Sequence, residues 1–137
     1  MPCTATKVAP IFKFERSTGE ILANFGGGEL LMSLGTAGQP GSGPNQFNQS
    51  NDVIIAADGS IFVTDGHRGQ DMTTNQAMEE GRAQGATGRI LKFSPDGTFI
   101  KEWGQIGVRH GEFRTPHALA FDSQGRLWVA NRGNHRL

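Results

Sequence analysis

FNQSNDVIIAADGSIFVTDG, residues 47–66, and FRTPHALAFDSQGRLWVANR, residues 113–132, are two versions of one pattern. Superposing Phe47 on Phe113 places Ile61 on Leu127, Val63 on Val129 and Asp65 on Asn131, at a constant offset of 66 residues, and sets Asp58-Gly59 near Gln124-Gly125. Each copy reads as an apolar strand (Val53–Ala56; Ala118–Phe121), a turn closed by glycine, and a second strand (Ser60–Thr64; Arg126–Ala130). Turn glycine between two short β-branched or aromatic runs predicts a hairpin. In the first copy the pattern continues: Arg89–Phe93 alternates, Ser94-Pro95-Asp96-Gly97 is a turn, and Thr98–Trp103 alternates again. The same pair recurs near the N-terminus as Ile11–Phe14 and Glu20–Phe25, with Gly19 between them. One unit is therefore four short antiparallel strands, and such units in tandem are propeller blades with a period of about 40–50 residues.

Two irregularities interrupt the period. From Asp65 to Arg89 is 24 residues, whereas the equivalent step from Asn131 to Arg136 is 5, so 19 residues are inserted within HRGQDMTTNQAMEEGRAQGAT (67–87). This stretch is polar apart from Ala77, Met78 and Ala83, and predicts at most one short helix. As a long loop between the second and third strands it reads as a lid over a site or as a floppy surface excursion. Secondly, EILANFG (20–26) and ELLMSLG (29–35) both read as outer strands, abutting across Gly26–Gly28 with no inner strands between them. The organisation is then one partial propeller over 1–137: remnant strands of preceding blades at 10–35, one blade at 47–104 with a polar insertion at about 68–87, and the start of the next blade at 113–137. That does not close a ring, for which four blades is the usual minimum. The expected fold is all-β, four-stranded antiparallel blades in an incomplete ring, either a fragment or an internally deleted product that needs further blades as partners.

Composition excludes several function classes. Thirteen Lys+Arg balance thirteen Asp+Glu, leaving no field to grip a polyphosphate, so nucleic acid is not expected as a partner. The longest apolar run, Val53–Ala57, is far short of a membrane span, and the first ten residues lack the apolar core of an export signal. One cysteine, Cys3, builds no disulfide framework and reads as an incidental thiol. The 20 glycines are about twice average usage and mark tight turns. Gly26–Gly28 and GQPGSG (38–43) are not followed by a lysine or a helix start, so they read as turns rather than phosphate cradles.

The stretch GEF-x-x-P-H-A-L-A-F-D-x-x-G-R-L-W-V-A-N-R-x-N-H-R-L resembles the NHL repeat. More narrowly, residues 39–66, GRILKFSPDGTFIKEWG (88–104) and TPHALAFDSQGRLWVANR (115–132) resemble the peptidyl-α-hydroxyglycine α-amidating lyases. That family's fold is a six-bladed propeller that cleaves a hydroxyglycine-extended peptide to a peptide amide and glyoxylate, using zinc. The resemblance implies His117 as a zinc ligand, Arg132 as the arginine that engages the substrate's carboxylate and hydroxyl region, and His67 where the family carries its catalytic tyrosine. It also implies calcium in the complete fold, a peptide substrate, and relatives that are often exported. The departures are equally plain: the chain has no tyrosine, Asn131 stands where an aspartate is usual, and the other two zinc histidines have no counterpart.

Each residue also has a structural reading. His117 is alternatively a turn histidine at the mouth of an inner strand, His67 a loop residue, and Arg132 one side of a blade-to-blade ion pair. His135 reads as a structural hydrogen-bonding residue and His110 as a surface one, while Asp52 and Asp65 read as turn-capping carboxylates. Chemically, an imidazole that titrates near neutrality serves as a general base, and a guanidinium holds a carboxylate bidentately. Two functions therefore stand side by side: a lyase-like enzyme not expected to turn over fully in these 137 residues, and a non-catalytic NHL propeller that docks a protein or peptide on its loop face.

Overall fold

A computed structural model describes residues 11–14, 30–36 and 38–137. Cys3, Glu20–Phe25 and Gly26–Gly28 lie outside them. Strand β1 (Ile11–Phe14) pairs antiparallel with β2 (Leu30–Leu34), from Ile11 opposite Leu34 to Phe14 opposite Leu30. Leu30–Leu34 is thus the bonded partner of Ile11–Phe14, the strand that the sequence pattern pairs with Glu20–Phe25.

The predicted blade is present as a four-stranded antiparallel sheet in the order β3 (Ser50–Ile55), β4 (Ile61–Asp65), β5 (Arg89–Phe93), β6 (Phe99–Trp103). A further hairpin, β7 (Pro116–Phe121) and β8 (Leu127–Asn131), begins the next unit. Ala56–Gly59, Ser94–Gly97 and Asp122–Gly125 form three alike turns. In each the glycine amide donates to the carbonyl three residues back, at 2.9, 2.9 and 3.0 Å. Each of these glycines has φ between 75° and 86°, the left-handed region where a Cβ is costly.

Alternation along β4 divides the apolar material between two faces. Ile61 and Val63 join Leu34, Phe47, Leu91 and Phe93 in the main core, with Met32 and Phe99 packed against it. Phe62 points the other way, stacked on Trp103 at 6.2 Å and edge-on to Phe121 of β7 at 5.6 Å. Its repeat equivalent, Trp128, is 43% exposed, whereas Phe62 is 8% exposed.

The repeat holds at the level of single atoms. The Asn48 amide donates to Asp65 Oδ1 at 2.7 Å, and the equivalent Arg114 amide to Asn131 Oδ1 at 2.9 Å. Arg89 donates to the carbonyls of Ser42, Gly43 and Gln46, and Arg136 to those of Val108, Arg109 and Glu112, the same three positions one repeat later. Asp65 is consequently an ion-pair partner, 3.1 Å from Arg89 Nε, and not a turn cap. Within GQPGSG the carbonyls of Gly41, Ser42 and Gly43 point inward and accept from Arg89, so they present no donors to a phosphate.

The insertion is folded. A 3-10 turn (His67–Asp71) leads to helix α1 (Asn75–Ala83), whose N-cap Thr74 accepts the Ala77 amide at 3.1 Å. Met72, Met78 and Ala86 bury against Ile106 with Ala77 alongside, giving this polar stretch a small core of its own. Four apolar side chains suffice to seat it, so it is not a floppy excursion. No helix among the described residues is long and apolar enough to cross a membrane.

Candidate functional site at one end of the blades

The three residues singled out in the sequence lie at the same end of the two sheets. His67 follows β4 and Arg132 follows β8, while His117 lies at the start of β7, the strand paired with β8. The approach to β3 and to β7 is built alike. Gln49 and Thr115 have φ of 68° and 62°, a left-handed conformation uncommon for any side chain and most costly for a β-branched one. The register then slips between Ser50 and Asp52 and between Pro116 and Ala118, leaving Asn51 and His117 as the bulged residues. A bulge unpairs one residue and re-aims its side chain, and bulges are over-represented next to active sites.

Hydrogen bonds fasten this end. The His67 amide donates to the Gln49 carbonyl at 2.9 Å, and the Arg132 amide to the equivalent Thr115 carbonyl at 3.1 Å. Gly66, at φ 135°, is required: a Cβ there would lie 2.2 Å from the Thr87 carbonyl oxygen. Asn51 Nδ2 donates to the Pro116 carbonyl at 2.9 Å, and Asp52 Oδ2 accepts the Leu119 amide at 2.8 Å. Asp52 therefore stitches β3 to β7 and is not a turn cap. The result brings the rings of His67 and His117 together, 5.9 Å apart between centroids and inclined at 48°. His67 is half-buried and its Nδ1 lies 2.5 Å from Asn51 Oδ1; His117 is exposed.

Arg132 is exposed and its guanidinium makes no ion pair or hydrogen bond with the described residues, so it is not a blade-to-blade bridge among them. His110 is exposed, as expected. His135 caps its 3-10 turn with a left-handed backbone at φ 52°, its amide donating to Arg132, and its ring bonds to none of the described residues. Nearby, burial pushes the Asp65 carboxyl above its ordinary value, opposed first by the Arg89 guanidinium and then by the Asn48 amide.

Two imidazoles are not a catalytic zinc site. Such sites use three protein ligands and one open position. Among the described residues no group of three or more His, Cys, Asp or Glu side chains is placed to hold a metal ion. These residues alone do not fit zinc. What they offer is a half-buried imidazole to accept a proton, a second imidazole beside it, and an uncommitted guanidinium. Asn51 was not singled out from the sequence, although the 66-residue offset places it on His117 and so marks it as a site position.

Residues 113–137 match the family model of the NHL repeat. The chain is 38% identical over 113 residues to peptidyl-glycine alpha-amidating monooxygenase B of Xenopus laevis, an alignment covering 78% of the chain and 11% of that protein. It is 31% identical to NHL repeat-containing protein 3 of Homo sapiens, over 80% of the chain and 28% of that protein. It is also 31% identical to peptidyl-alpha-hydroxyglycine alpha-amidating lyase 1 of Drosophila melanogaster, over 93% of the chain and 20% of that protein. The chain thus spans well under a third of these relatives, and the part it spans carries an NHL repeat on antiparallel sheets of the kind that form propeller blades.

Proposed function

We propose that these residues are blades of a six-bladed NHL propeller similar to the amidating lyases, and that the end bearing His67, His117 and Arg132 receives a peptide ending in α-hydroxyglycine. The observation that carries this reading is the meeting of His67 and His117 at 5.9 Å, one just after β4 and the other at the start of β7 in the next repeat. In the reaction, Arg132 holds the substrate carboxylate through paired N–H donors. His67 accepts the proton of the α-hydroxyl group as the carbon–oxygen double bond forms. The carbon–nitrogen bond breaks, its electron pair goes to the amide nitrogen, and that nitrogen takes up a proton. Peptide amide and glyoxylate leave, with atoms and electrons balanced. His117 is the imidazole left for the zinc of the resembling family, whose coordination would be completed by ligands from further blades. On this reading the 137 residues supply only part of the ring and are not expected to turn over fully by themselves.

The test is glyoxylate release from an α-hydroxyglycine peptide by a propeller in which further blades of the same repeat complete the ring. Glyoxylate is expected, and His67→Ala lowers kcat/KM by about 100-fold or more, the usual contribution of a general base. No glyoxylate and no bound zinc in that protein would overturn the reading. A second reading, a propeller that docks a peptide or protein without chemistry, is favoured by the complete lack of tyrosine. Under it, His117→Ala leaves both ligand binding and metal content unchanged.

A further inference from the structure

We propose that Asn51 is a positioning residue that holds His67 in the tautomer protonated at Nδ1 and bare at Nε2. The inference rests on the reading of His67 as the proton acceptor, and it names the ring nitrogen that does the accepting.

The assignment follows from donor and acceptor chemistry along a chain of three groups. Proline has no backbone N–H, and its carbonyl can only accept. The atom of Asn51 that faces the Pro116 carbonyl at 2.9 Å is therefore its amide nitrogen, which fixes the side-chain orientation. The amide oxygen is then the atom 2.5 Å from His67 Nδ1. An amide oxygen cannot donate, so the contact is attractive only when Nδ1 carries the hydrogen. A neutral imidazole has one N–H, and Nε2 is left with its lone pair. The backbone keeps the ring in place: the His67 amide is held by the Gln49 carbonyl at 2.9 Å. Asn51 sits at the bulge of β3 and Pro116 begins β7, so the tautomer is set only when the two sheets are docked. The general logic is that of a histidine whose second ring nitrogen is fixed by the hydrogen bond made by the first.

The experiment is a long-range nitrogen–proton correlation spectrum of the 137-residue chain, on the alkaline side of the imidazole titration, with His110 and His135 as internal references. The expected result is an Nδ1–H tautomer for His67 and the Nε2–H form, which a free histidine side chain favours, for the two references. Asn51→Leu, which removes the acceptor, is expected to return His67 to the Nε2–H form. Asn51→Asp, which keeps an oxygen acceptor, is expected to retain Nδ1–H. An Nε2–H tautomer in the unsubstituted chain overturns the proposal, and so does an Nδ1–H tautomer that survives Asn51→Leu. Should Asn51→Leu lose its amide dispersion, the unsubstituted chain and Asn51→Asp decide: Nδ1–H in both supports the assignment, and Nε2–H in either overturns it. Lack of glyoxylate with the Nδ1–H tautomer intact would count against the lyase reading alone.

Discussion

Around Arg89 the clasp on the preceding loop is ionic and dry. The Arg89 side chain is 4% exposed and that of Asp65 fully buried, with Nε to Oδ2 at 3.1 Å, and Glu102 adds a second carboxylate at 2.7 Å. Around Arg136 the same three carbonyl positions are gripped, but the arginine is exposed and the residue in the place of Asp65 is neutral Asn131. Both Asp65 and Asn131 accept the backbone amide 17 positions earlier, so that task needs an oxygen and not a charge. Asn131 uses its spare amide group to donate to the Glu112 carbonyl at 3.0 Å. Of the two clasps, only the one whose guanidinium is out of water has an aspartate at this position. Removing one partner of such a pair leaves a buried charge uncompensated, whereas a solvated arginine tolerates a neutral neighbour.

Four substitutions and one titration would break or sharpen this contrast. Asp65→Ala is expected to cost about 3–5 kcal/mol in urea unfolding, since it leaves the buried Arg89 with only the partly solvated Glu102 as its counter-charge. Asn131→Ala should cost about 1–3 kcal/mol, the penalty for orphaning the Arg114 amide and the Glu112 carbonyl. Equal losses would show that charge is not what separates the two clasps. Next, Phe62→Ala should lose about 3–5 kcal/mol and the equivalent Trp128→Ala only about 1–2 kcal/mol, because one ring is covered by Phe121 and the other is not. A Trp128→Ala loss as large as that of Phe62→Ala would mean that its face is already covered. Smallest is a pH effect at the turn of the second hairpin. Hydrogen bonds from the Trp128 indole and then the Arg126 side chain hold the half-buried Asp122 carboxyl down at about 2. Its folded value is below its ordinary one, so its stabilising contribution is present above 3.8 and lost as pH falls through about 2. The Trp128 indole N–H resonance should shift with a midpoint near 2, and a midpoint at 3.8 would refute the pairing.

The blade was legible because hairpins write themselves in alternation and turn glycines: every strand of 47–104 and 113–137 falls within two or three residues of its expected bounds. Asp65, Arg89, Asn131 and Arg136 were legible as matched positions, but not as clasps, because carbonyl acceptors have no side-chain identity to read. The pairing of β1 with β2 was missed since periodicity marks a strand and says nothing of its partner. The bulges at Asn51 and His117 were hidden for a more specific reason. The left-handed residues that set them up are Gln49 and Thr115, not the glycines that usually announce such a backbone. Asn51 acquires a role only when β3 lies against β7, a long-range contact that no local pattern contains.

The inserted segment has a consequence for chain entropy. It lengthens the step between Asp65 and Arg89 to 24 residues, where the next repeat takes 5, although the two residues pair directly across β4 and β5. Closing the longer loop costs about 1.4 kcal/mol more, each doubling of length adding about 0.6 kcal/mol. Burying one side chain such as Met78, 2% exposed, contributes about 1.5–3 kcal/mol and offsets that difference. A miniature core thus lets a propeller blade carry a long excursion beside His67 without weakening the sheet it interrupts.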